Sequence, residues 1–95
     1  MYNDLDPLLH SQLRLAIISM LVTSEKMDFT YIQSETKAAA GNISIQIKKL
    51  EEAGYIKVEK SFKNNYPNTM ISITEKGVRA FESYVNNLKK YINPK

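Results

Sequence analysis

Cysteine is absent from the chain, and histidine occurs once, at position 10. The first absence excludes disulfides, thiolate metal sites and cysteine nucleophiles. The second excludes a histidine-based zinc centre, because one imidazole cannot assemble one by itself. Proline and glycine occur only three times each, and no Pro/Gly/Ser linker, internal repeat or low-complexity tract divides the sequence. A single domain over residues 1–95 is the expectation. Long apolar runs are missing too. Leu13 to Val22 is broken by Arg14 and Ser19, far short of the ~20 residues that span a bilayer. The first residues carry Asp4 and Asp6 rather than the basic start of a secretory signal. There is also no Gly-rich phosphate loop, metal-ligand cluster or Ser/His/Asp arrangement. These absences lead to the expectation of a cytoplasmic protein that is not an enzyme and carries no cofactor or metal.

What is present is an ordinary globular composition, 43% hydrophobic and 24% charged, with a net charge of +3. A chain of 95 residues buries only about 60–65% of its unfolded surface, so help from a second copy is a reasonable prior. Position says more than the sum of charge. Between Lys37 and Lys63 lie six lysines against three glutamates, so the whole net charge can be placed in the middle of the chain.

Periodicity supplies the elements. Leu9, Leu13, Ala16, Ile17, Met20 and Leu21 recur at helical spacing and predict a helix over 8–23, with Pro7 suited to its first turn. Ser24 to Met27 reads as a polar break. Asp28 can cap a second helix over 28–36 that turns Phe29 and Ile32 inward. A third helix over 41–53, capped by Gly41 or Asn42, buries Ile43, Ile47 and Leu50, and Gly54 ends it. The period then changes to two: Ile56 and Val58, then Met70 or Ile71 with Ile73, predict a hairpin over 55–74 with Ser61 to Asn68 as its loop. Thr74 can cap a last helix over 75–92, striped by Val78, Phe81, Val85, Leu88 and Ile92. The expected fold class is mainly α with a small β-hairpin, α+β. Helix, helix, helix, hairpin, helix is the order of a winged helix-turn-helix with extended terminal helices.

At 100° per residue, the outward arc of the third helix holds Asn42, Ser44, Ile45, Lys48, Lys49 and Glu52, with Gln46 towards an edge. Amides, hydroxyls and amines read base edges or hold phosphates, and no acid stands between Asn42 and Lys49. Ile45 suits a thymine methyl group. A plain solvated helix face is the alternative. The hairpin repeats the theme with Lys60, Lys63, Asn64, Asn65 and Asn68, suited to phosphate or minor-groove contact, or else an ordinary polar turn. The terminal helices offer Leu9, Leu13, Tyr84, Leu88, Tyr91 and Ile92 as a dimer interface, unless those side chains cover the domain's own core.

Gly41-Asn42-Ile43-Ser44, then Ile47, then Lys49-Leu50-Glu51-Glu52-Ala53-Gly54-Tyr55-Ile56 resembles the recognition-helix motif of MarR-like winged-helix regulators. Lys60, Pro67 with Thr69, Thr74 with Gly77, and Asp28-Phe29-Thr30 extend the likeness over about residues 5–92. At Ile45 and Gln46 the chain departs from many members of that family, which carry a basic or histidine side chain near there. The resemblance implies a homodimeric transcriptional regulator on double-stranded DNA, a repressor by expectation. Asn42, Ser44, Gln46 and Lys48 would face the groove, and the wing lysines the backbone. It also permits a small-molecule effector between the dimer helices. A winged-helix protein-interaction module without specific DNA binding is the alternative function; RNA binding is disfavoured by the lack of paired stacking aromatics on an exposed sheet.

Overall fold

The computed structural model describes Tyr2 and residues 4–93. Residues 1, 3, 94 and 95, which include both ends of the expected domain, lie outside the described residues. The order is α1 (Gln12–Ser24), β1 (Lys26–Asp28), α2 (Phe29–Thr36), α3 (Ala40–Glu52), β2 (Ile56–Lys63), β3 (Tyr66–Ile73) and α4 (Glu75–Ile92). This is an α+β, mainly helical winged helix.

Its core is aliphatic. Leu9, Ile17, Ile18, Leu21, Ile32, Ile43, Leu50 and Ile71 are fully buried, each worth about 1.5–3 kcal/mol relative to an exposed position. The α1 face thereby meets α3 and the sheet. No side-chain polar atom is buried without a partner among the described residues.

Four boundaries differ from the sequence expectation, each for a local reason. The first helix begins at Gln12 and not at residue 8. Asp6 diverts the chain, because its carboxylate accepts the Leu8 N–H (2.9 Å) and its carbonyl the N–H groups of Leu9 and His10. Pro7 and Leu8 therefore sit in a separate turn. The expected polar break contains β1, which pairs antiparallel with β3 through Met27 and Ile71, making a three-stranded sheet in the order β1-β3-β2. The third helix starts at Ala40 with Ala39 as an N-cap that lends no side-chain bond, so neither Gly41 nor Asn42 caps it. Finally, Ser61 to Asn68 is not a loop. The strands run on to Lys63 and Tyr66, and the turn is Asn64-Asn65 alone, at φ 54° and 66°. Asparagine tolerates the left-handed region, and two such residues match the twist of paired strands.

Other ends follow the side chains directly. Asp28 caps α2 by accepting from the Tyr31 N–H (2.7 Å). Thr74 caps α4 by accepting from the Gly77 N–H (3.0 Å). At the end of α3, Gly54 N–H donates to the Glu51 carbonyl and Tyr55 N–H to the Leu50 carbonyl, a Schellman closure with Gly54 at φ 82°.

Candidate nucleic-acid interface

Burial of Ile43, Ile47 and Leu50 fixes which side of α3 is free. Helical spacing then puts Ile45, 55% exposed, near the middle of the outward face. Its two flanks differ. Ser44, Lys48 and Glu51 border a cleft of about 550 Å³ whose other wall carries Val58, Lys60 and Thr69 of the sheet. Helix and wing thus share one basic groove. On the opposite flank, Asn42 borders a shallower groove against Leu13 and Ala16 of α1.

The wing is an antiparallel ribbon of β2 and β3. Lys60 pairs with Thr69, Phe62 with Pro67 and Lys63 with Tyr66. Strand alternation carries Lys60 and Phe62 on the face that begins with the core residues Ile56 and Val58, and Lys63 on the other face. Asn64 and Asn65 form the tip, whereas Asn68 is half-buried within β3 opposite Ser61. Phe62 and Tyr66 are 77% and 74% exposed, and the loop expected over this segment conceals both as paired strand positions.

Gln46 is not free. Its Oε1 accepts from Arg14 Nη1, and its Nε2 donates to Asn42 Oδ1 (2.9 Å). Arg14 also donates through Nε to the Leu8 carbonyl (2.6 Å). In the sequence Arg14 stands out only as an interruption in an apolar run. Its partner lies thirty-two residues away, beyond the reach of any helical spacing rule.

The expected interface residues of the terminal helices fall into two groups. Leu9 and Tyr84 are enclosed by the chain's own core, at 0% and 4% exposure; the Tyr84 hydroxyl lies 3.0 Å from His10 Nδ1. Leu13 and Leu88 are half-buried. Tyr91 and Ile92 remain exposed, and the Tyr91 ring packs on Tyr2 with centroids 5.0 Å apart. Between the amino-terminal segment and α4 lies a cleft of about 680 Å³ bordered by Leu5, Pro7, His10, Leu88 and Tyr91.

Burial pushes the Tyr55 hydroxyl up to about 12, helped by the hydrogen bond it donates to Asp6 Oδ2 (2.5 Å) and by the charge there. Among the described residues no group of three or more His, Asp or Glu side chains is placed to hold a metal ion. No helix among them is long and apolar enough to cross a membrane.

The sequence model of the family described as "Winged helix DNA-binding domain" matches residues 13–92. The chain belongs to that family. This winged-helix chain is 34% identical over 76 residues to the uncharacterized protein MJ0432 of Methanocaldococcus jannaschii, covering 80% of its own length and 83% of the relative. A transcriptional regulator homologue from Pyrococcus horikoshii superimposes with a TM-score of 0.86 at 29% identity, over 92% of this chain and 86% of that one. The transcriptional regulator BldR from Sulfolobus solfataricus shares the fold, with a TM-score of 0.73 at 20% identity; the match covers 88% of the winged-helix chain and 59% of BldR. The winged-helix likeness therefore extends from the α3 motif to the fold of nearly the whole chain.

Proposed function

We propose that the protein is a sequence-specific transcriptional regulator that binds duplex DNA as a homodimer. One α3 enters the major groove at each half-site, and each wing lies along the backbone or in the adjacent minor groove. One observation carries this reading: Ile45 stands exposed on a face with no acid between Asn42 and Lys49, and on one flank of it Ser44 and Lys48 open into the same groove as Lys60 of the wing. A helix of this width fits the major groove, and amines on both walls suit phosphates. Lys48 and Lys63 act on the backbone, as do Lys49 and Lys60; Asn42 and Ser44 read bases. Asn64 and Asn65 bring the wing tip to the strand.

The homodimer uses the exposed end of α4, where Ile92 is exposed and Tyr91 packs on Tyr2. A small-molecule effector would enter the cleft bordered by His10 and Leu88 and alter the spacing of the two reading heads. Repression needs nothing more than occupancy of the operator, and the cytoplasm is where such a protein meets its DNA. None of these roles requires a catalytic step.

Selection of the purified protein on a randomised duplex library, at near-physiological salt, tests this. The expected result is an enriched inverted repeat with half-site centres about 10 base pairs apart, or a multiple. Retention that depends on salt alone, without enrichment, would favour a protein-interaction module. The exposed Phe62 and Tyr66 of the wing are the feature that suits that second reading.

A further inference from the structure

We propose that Arg14, on α1, is a specificity-determining positioning residue: through Gln46 it sets the orientation of the Asn42 amide, so that Asn42 presents donors to the groove and selects guanine. The inference rests on α3 entering the major groove and adds what one of its side chains reads there.

The Arg14 guanidinium carries five N–H donors and no acceptor. Whatever carboxamide atom faces it must be oxygen, and Gln46 meets Arg14 Nη1 with Oε1. The Gln46 amide group is thereby turned towards Asn42, one helical turn away, and donates to Asn42 Oδ1 (2.9 Å). That bond occupies the oxygen of Asn42 within the helix. What the exposed Asn42 side chain offers outward is its NH2 group. An exposed pair of amides four residues apart is too weak to hold one orientation unaided. Arg14 decides the matter because it is itself fixed, with Nε on the Leu8 carbonyl (2.6 Å), in the segment that Asp6 folds into a turn and ties to Tyr55.

In the major groove guanine shows two acceptors, N7 and O6, whereas cytosine shows the N4 amino donor. Two N–H groups match guanine and repel cytosine. The usual double contact of asparagine to adenine needs the amide oxygen as well, and here that oxygen faces Gln46.

The test is the same randomised-duplex selection, run on the full chain and on four variants. Asn42→Ala identifies the half-site position that Asn42 reads, as the one whose preference it flattens. The wild type is expected to favour guanine over cytosine there by roughly tenfold. Gln46→Glu replaces the NH2 group with a second acceptor. It keeps Arg14 as a partner, turns the Asn42 amide round and should swing that one position to cytosine. Arg14→Met should flatten the guanine preference there and leave the other positions unchanged, while Arg14→Lys, which still donates, should retain it. Circular dichroism melts establish that each variant is folded, and should Arg14→Met fail to fold, Gln46→Glu alone decides. Guanine still preferred by Gln46→Glu, an unaltered motif in a folded Arg14→Met, or no position sensitive to Asn42→Ala would overturn the proposal while the groove reading stands. A wild-type protein that enriches no motif would remove both.

Discussion

Gly77 presses against the backbone of Tyr55: a β-carbon built on it would stand 2.3 Å from the Tyr55 carbonyl oxygen and 3.0 Å from Ile73 Cγ1. The same carbonyl accepts the Thr74 N–H (3.0 Å), and Thr74 Oγ1 donates to the Gly54 carbonyl (2.6 Å). The first turn of α4 is thus locked onto the Schellman closure of α3. This junction sets the angle between α3 and α4.

Gly77→Ala is therefore expected to destabilise the fold by about 1–3 kcal/mol, the usual cost of overpacking, since backbone on one side cannot yield. Gly41→Ala provides the contrast, because nothing lies within 4 Å of a β-carbon there. It should be neutral or stabilise by up to about 1 kcal/mol through helix propensity. Urea unfolding of both variants checks the pair, and equal stabilities would mean that the α3–α4 junction is loose.

Tyr55 gives stability a dependence on alkaline pH. Its hydroxyl loses a proton near 12 in the folded chain against about 10 in the unfolded one. The folded state thus holds the proton more tightly, so this contribution is complete below pH 10 and fades between pH 10 and 12. Tyr55→Phe should lower the melting temperature modestly at neutral pH, by losing the bond to Asp6. The gap between wild type and variant should close as pH rises through that window. A gap that stays constant to pH 12 would show that burial and Asp6 do not govern this hydroxyl.

Much of the architecture was legible because helices and strands leave periods in the sequence. Ile43, Ile47 and Leu50 placed the buried side of α3, and Thr74 with Gly77 marked the start of α4. What escaped detection depends on contacts remote in the chain or on single side chains. The strand β1 is three residues long and exists because Met27 finds Ile71. The delayed start of α1 comes from one carboxylate, Asp6. In α4 the apolar stripe pointed to Val78 and Val85, which are half-buried, whereas the deeply buried aromatic is Tyr84, satisfied by His10. On α3, the outward arc was visible, but the link from Arg14 to Gln46 and Asn42 was not. Helical spacing names neighbours on one helix and is silent about a guanidinium from another.

Lys48 and Lys63 stand on the two elements that frame the groove, and among the described residues the ion pair formed, Arg79 with Glu75, involves neither. Lys48→Ala and Lys63→Ala should each weaken binding to specific and random duplexes alike. The slope of log affinity against log salt should fall by about 0.9 for each phosphate left without its lysine. Lys90→Ala, in the last turn of α4, is the control and should leave the slope unchanged. Filter binding over a salt series distinguishes the sites, and a Lys90 effect as large as that of Lys48 would mean that net charge, not the groove, binds DNA.

The exposed end of α4 separates dimerisation from folding. Ile92 is 76% exposed and Tyr91 47%, so their replacement opens no cavity in the chain's own core, whereas truncating Leu9 or Tyr84 would. Ile92→Ser with Tyr91→Ser is therefore expected to keep the helical content and shift the protein towards monomer in sedimentation equilibrium. Two linked reading heads bind with an effective concentration that single heads lack, so the same variant should lose affinity for a two-half-site operator far more than for an isolated half-site. A double variant that sediments as the wild type does would place the contact between copies elsewhere, with the half-buried Leu13 and Leu88 as the next pair to change.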